Sequence, residues 1–312
     1  MRWLWPVWNR RERRVRAAWR IVAMLAVYLL LTIVTMAAVE TWLPDHERLA
    51  APVAIVVTGT LAASLPARYL DRRPLSELGL GVDRVAVREF GVGLVLGLML
   101  TGGVLIVYLA AGWASVTGWF VAEDGGFVGS FALLLAMYAA VAYLEELLFR
   151  GYFITNLTEG LSSVRVARLG RRLPARWQVG VPVVLAVVVS SLVFADFHGD
   201  ELTALEYLHF WLAGVLLAVP YVVTGRLALP IGLHLTFNLG MTGLFNVEGG
   251  LPAVVRLEID GPSPLVGEAG LVETGLIVVT LLVTILYLRF SGRPMLPAAG
   301  RAAARDAGAL SR

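Results

Sequence analysis

Apolar and polar positions along this chain do not alternate with a helical or strand period. They fall instead into eight long apolar blocks, at 21–39, 49–65, 90–111, 127–157, 179–197, 205–223, 227–245 and 271–290. A block that is apolar on every face has no solvent side, so each is expected to be a helix buried in a bilayer. Their lengths suit a hydrocarbon core about 30 Å thick, which a helix crosses in about 20 residues. The third block is rich in glycine (Gly91, Gly93, Gly97, Gly102, Gly103), which favours close helix packing. The chain shows no internal repeat. The pattern predicts an all-α fold, a polytopic transmembrane bundle of about eight spanning helices.

The charges between the blocks give the bundle a direction. Arg68, Arg72, Arg73, Arg84 and Arg88 lie between blocks two and three, and Arg165, Arg168, Arg171, Arg172 and Arg176 between four and five. Arg226 separates six from seven, and Arg289, Arg293, Arg301 and Arg305 follow eight. The intervening loops are acidic or neutral in net charge: Glu40, Asp45 and Glu47; Glu123 and Asp124; Asp200 and Glu201; then Glu248, Glu258, Asp260, Glu268 and Glu273. Arginine on alternate loops predicts both termini in the cytoplasm. Residues 1–20 combine Arg2, Arg10, Arg11, Arg13, Arg14, Arg16 and Arg20 with four tryptophans, and are expected to be a basic interfacial anchor. Residues 21–290 form the bundle, with a motif core at 127–245, and 291–312 are expected to be a disordered cytoplasmic tail.

Composition agrees. The apolar fraction is 58%, charged residues make up 16%, and mean hydropathy is +0.76, outside the range of soluble domains. The chain has no cysteine, which excludes disulfides, thiolate nucleophiles and cysteine-ligated metals. The arginines sit where topology needs them, so nucleic acid is not an expected partner.

Against this background a few polar residues stand out. Glu145, Glu146 and Arg150 lie within six residues of one apolar block. Each ionisable group near a bilayer centre costs roughly 2.5–3.5 kcal/mol. Glu146 and Arg150, four apart, can pair on one helix face, which leaves the Glu145 carboxylate for another task. The fifth block ends in Phe194-x-x-x-His198 and the seventh holds His234-x-x-x-Asn238. One histidine in an apolar helix is ordinarily a packing residue. Two on different helices, with a carboxylate pair on a third, are expected to meet inside the bundle. A carboxylate and an imidazole can activate water, and an amide with a second imidazole can hold an oxyanion. The same Glu145, His198 and His234 could instead ligate zinc. The residues alone leave both uses open.

Glu145-Glu146-x-x-x-Arg150, Phe194-x-x-x-His198 and His234-x-x-x-Asn238, in that order, resemble the CPBP intramembrane protease family (CAAX protease and bacteriocin-processing, or Abi). The stretches 214–225 and 229–234 resemble its next block. The resemblance implies an intramembrane endopeptidase with a site opening to the cytoplasm, acting on a membrane-associated peptide or protein. It implies that Glu145 and His198 activate water, that His234 and Asn238 form the oxyanion site, and that Glu146 and Arg150 brace the fourth helix. A metal-independent mechanism is favoured over zinc, because no acceptor that would orient His234 is evident. A non-catalytic scaffold or bacteriocin-immunity protein of the same fold, and a transporter, are the competing readings. Glu206 and His209 are expected to be interfacial, and Asp196 to line the extracytoplasmic rim. One geometric condition follows. For His198 to lie level with Glu145, the fifth helix must start beyond the membrane core, on the cytoplasmic side.

Overall fold

In a computed structural model the described residues are 7–9, 14–122, 126–168, 175–199, 201–246, 251–267 and 269–291, with the side chains of 163–179 left aside. The anchor residues Arg2, Arg10, Arg11 and Arg13 and the tail at 292–312 lie outside the described residues, as do Glu123, Asp124, Asp200, Glu248 and Glu268. After a two-residue hairpin of β1 (Trp8–Asn9) and β2 (Arg14–Val15), the chain forms eight helical rods. These are α1 (Ala17–Trp42), α2 (Glu47–Pro66), α3 (Arg84–Ala110), α4 (Phe127–Glu145) continuing into α5 (Thr155–Arg168), α6 (Ala175–Asp196), α7 (Ala204–Thr224), α8 (Ala228–Leu239) and α9 (Leu271–Phe290). Six rods are long and apolar enough to cross a membrane; α6, with its apolar stretch Gly180–Asp196, and α8 are shorter. The architecture is therefore an all-α polytopic bundle. Leu29, Leu30, Ile33 and Val34 on α1, and Val279, Leu282 and Leu286 on α9, point outward, as lipid-facing residues do.

Three features position the interior. First, α3 and α8 pack with their backbones almost in contact. A Cβ at Gly93 would strike the Leu229 carbonyl, and one at Gly97 would lie 2.6 Å from the Leu233 carbonyl. Thr236 on α8 also donates to the Leu94 carbonyl at 3.0 Å. This fixes the helix that carries His234. Second, the rod from α4 to α5 is π-helical from Glu146 to Ile154. Third, one end of the bundle carries a three-stranded sheet that the apolar pattern did not predict. Its order is β3 (Ala114–Val121), β5 (Ala253–Ile259), β4 (Phe245–Asn246), with β3 antiparallel and β4 parallel to β5. Ala253, Val255 and Leu257, alternate residues of β5, are buried, which sets its register on the bundle.

At the opposite end the basic segment folds inward. Arg20, only 1% exposed, pairs with the buried Asp71 at 3.1 Å and with Glu159 at 3.2 Å. Arg14 joins Glu159 at 3.0 Å, Arg73 also pairs with Glu159, and Asn156 donates to Asp71 at 3.1 Å. Two arginines of the expected interfacial anchor are thus counter-ions that tie the start of α1 to α5 and to the turn after α2.

Candidate active site

Glu145 is the last residue of α4 and Glu146 the first of the π-helical stretch. Widened helical turns of this kind concentrate at functional sites. Within the stretch, Gly151 allows a close approach to the α2–α3 connection, where a Cβ would lie 2.9 Å from the Leu78 carbonyl.

Glu146 is fully buried, and one of its oxygens, Oε1, serves two partners. It lies 3.1 Å from the Arg150 guanidinium and accepts from His234 Nδ1 at 2.8 Å. Arg150 in turn donates to the Gly214 carbonyl of α7 at 3.3 Å and lies over the Phe194 ring of α6, 4.2 Å from its centroid. One carboxylate–guanidinium pair thereby joins the α4–α5 rod to α6, α7 and α8. It braces more than the fourth helix, because Glu146 is the acceptor for His234 that the sequence did not reveal. Glu145 takes no part in this network. Its Oε2 is buried without a hydrogen-bond partner and lies 3.7 Å from His234 Nε2.

His198 closes the C-terminal turn of α6. Its Nδ1 donates to the Phe194 carbonyl at 2.7 Å, since a carbonyl can only accept. The neutral ring therefore presents the Nε2 lone pair. Its faces pack on Phe194 and Phe210, with centroids 4.4 and 4.5 Å away. His198 borders two cavities. One, of about 370 Å³, is lined by Glu145, Phe149 and Phe197 with Met24 and Tyr28 of α1. The other, of about 410 Å³, is lined by Phe194, His234 and Asn238. Glu145, His198 and His234 were expected to meet inside the bundle; the structure divides the space beside them in two, with His198 common to both cavities. Asn238 lines the larger cavity, half-buried.

Glu145 and His198 lie on rods of similar length. Twenty-three residues separate Glu145 from the end of α5 at Arg168, and twenty-three separate the start of α6 at Ala175 from His198. Each leg is about 35 Å long, more than the thickness of the hydrocarbon core.

The ground for disfavouring zinc does not survive, because both histidines have acceptors on Nδ1 that would orient Nε2 toward a ligand. The spacing does not fit an ion: among the described residues, no group of three His, Asp or Glu side chains is placed to hold one.

Other polar residues divide. Glu206 forms a capping box with Thr203 at the start of α7. Asp196 is the exposed last residue of α6. His209, also expected to be interfacial, is 2% exposed and meets Thr274 of α9 at 3.0 Å. Glu273, read as a loop charge, is buried on α9 and lines the larger cavity. It falls within an apolar block, a signal that its proximity to the loop obscured.

The fold and this cluster define a multi-pass integral membrane protein with carboxylate and imidazole groups gathered inside a helical bundle. Residues 127–240, which hold all four candidate catalytic positions, match the family model described as Type II CAAX prenyl endopeptidase Rce1-like. The match supports the CPBP/CAAX protease family for this part of the chain. No curated protein and no solved structure matches the chain.

Proposed function

We propose that the protein is an intramembrane endopeptidase that hydrolyses a peptide bond of a membrane-associated protein or peptide. The observation that carries this reading is the pairing of Glu145 Oε2, buried and without a hydrogen bond, with His234 Nε2 at 3.7 Å, on a ring fixed from behind by Glu146. Such a carboxylate can take a hydrogen bond from a water that also reaches the lone pair of His198. Glu145 removes a proton as the water oxygen bonds to the carbonyl carbon. The carbonyl oxygen becomes an oxyanion and accepts hydrogen bonds from the Asn238 amide and from His234. With Nδ1–H held by Glu146, His234 donates from Nε2 when its ring carries both protons. As the C–N bond breaks, the leaving nitrogen takes the proton from Glu145, leaving a new carboxyl group and a new amine. The arginine-bearing loops support a topology with the ionic cluster of Arg20 and Asp71 on the cytoplasmic side, the sheet on the other, and both termini cytoplasmic.

The test uses the purified full chain in liposomes with a library of single-span peptides, cleavage being read by mass spectrometry. The wild type is expected to cleave. Glu145→Gln and His234→Ala are expected to lose at least about a hundredfold in rate, in the range of general-base and oxyanion groups, while inserting and purifying normally. Undiminished cleavage by Glu145→Gln would refute the assignment. A wild type that cleaves no peptide would favour the non-catalytic scaffold.

A further inference from the structure

A cleft on the flank of the bundle leads to the candidate site. Along α1 no residue beyond Met24 is buried. Between that part of α1 and α2 lies a cleft of about 480 Å³, which runs from Glu40 and Glu47 at the helix ends to Tyr28 and Leu144. Tyr28 and Leu144 also line the smaller cavity, the one that holds Glu145 and His198. The cleft and the candidate site therefore meet at these two side chains. The proposed chemistry makes no use of the cleft.

Its walls show what it accepts. Thr35 of α1 and Ala54 of α2 both line it, and Thr58 donates to Thr35 at 3.4 Å from one helix to the other. Small side chains let the backbone of another helix come close, and hydroxyls can share hydrogen bonds with it. The mouth is acidic. Between residues 40 and 48, three carboxylates, Glu40, Asp45 and Glu47, stand against one arginine, Arg48. Glu40 and Glu47 line the cleft itself and are exposed. A cation is favoured there and an anion disfavoured. A lipid tail would make no use of the hydroxyls, and an anionic headgroup would meet the carboxylates. Glu40 lies twelve positions after Tyr28, about 18 Å along α1. That is close to the half-thickness of a hydrocarbon core, about 15 Å.

We propose that the cleft docks a spanning helix of the substrate, with a lysine or arginine at that helix's outer end beside Glu40 and Glu47. The bond to be cut then lies about twelve residues further into the membrane, where the cleft reaches Glu145. The length of the cleft selects the bond. This route is lateral, and differs from the cytoplasmic opening that the family resemblance implies. The proposal rests on the peptidase reading for the cut, but docking tests it without cleavage.

Two measurements on the full chain in liposomes do so. In the first, the Glu145→Gln protein carries one cysteine, at Thr35→Cys in the cleft or at Val279→Cys on the outward face of α9. The probe is a leucine–alanine helix of about twenty residues with two lysines at one end. Its single cysteine lies five positions in, matching the five from Glu40 to Thr35. Disulfide trapping is expected to be at least about tenfold faster at Thr35→Cys than at Val279→Cys, because docking raises the effective concentration. The advantage is expected to shrink when glutamates replace the lysines of the probe. Ala54→Cys, on the other wall, stands in if Thr35→Cys fails to fold. Equal trapping at the cleft and on α9, as when lipid alone fills the cleft, would overturn the docking site. In the second, the wild type meets peptides of one apolar sequence whose lysine pair is moved outward one residue at a time. The cut is expected to move with it and to stay about twelve residues away. A cut that stays at one sequence position would overturn the cleft as the selector of the bond. Preferential trapping in a protein whose wild type cleaves nothing would overturn the peptidase reading and leave the docking site standing.

Discussion

Arg150 shows how much one side chain carries here. It pairs with Glu146, donates to the Gly214 carbonyl and covers Phe194 from a fully buried position. Arg150→Ala would leave a buried carboxylate with its imidazole partner alone. Breaking a buried pair on one side costs about 3–5 kcal/mol. The expected outcome is a fall in folded, detergent-extractable protein, with Arg150→Lys recovering part of it; a normal yield and Tm for the alanine variant would contradict this. The pairing itself was legible from the spacing of the two residues. The second role of Glu146 was not, because a contact between residues 88 positions apart leaves no local pattern. For the same reason the misgiving about an acceptor for His234 could be removed only by the fold.

Among the elements, α1 depends most on its first turns. Its buried residues are Ala17, Arg20, Ile21 and Met24, all near one end, while much of the rest faces outward. Arg20 is therefore expected to anchor the helix. Arg20→Ala should destabilise by about 3–5 kcal/mol, since it leaves Asp71 buried with a weaker set of partners. Arg14→Ala, at a site 19% exposed, should cost about 1 kcal/mol or less. Denaturation of the two variants side by side checks the contrast, and equal losses would sink it. Composition had suggested a different role for these arginines, because arginine with tryptophan before an apolar block reads the same whether the side chains snorkel or turn inward. The sheet escaped notice for a related reason: β5 alternates correctly from Ala253 to Ile259, but its charged residues, Arg256 and Glu258, made the segment resemble a loop. The helices, by contrast, were readable as elements: α9 spans the predicted block without change, whereas α3 starts six residues earlier and the α4–α5 rod runs eleven residues further than its apolar block.

For the whole molecule, the loop arginines make a prediction that the bundle's own geometry does not. A cysteine introduced at Ser162, on α5, is expected to react with an impermeant thiol reagent from the cytoplasmic side only. One at Thr117, exposed on β3, is expected to react from the opposite side only. The natural absence of cysteine makes both readouts clean, and the reverse pattern would invert the topology. The π-helical stretch also has a consequence at this scale. Each of its turns takes in one residue more than an α-turn, so the nine residues from Glu146 to Ile154 shift the rotational phase of everything beyond by over about 100°. Glu146 is thus turned toward His234 while Glu159, on the same rod, is turned toward Arg20. Loss of a residue between them would turn everything beyond by about 100° and throw one face out of register with its partners. The rod behaves as a keyed shaft, whose two ends can be aligned only while the extra winding between them is kept.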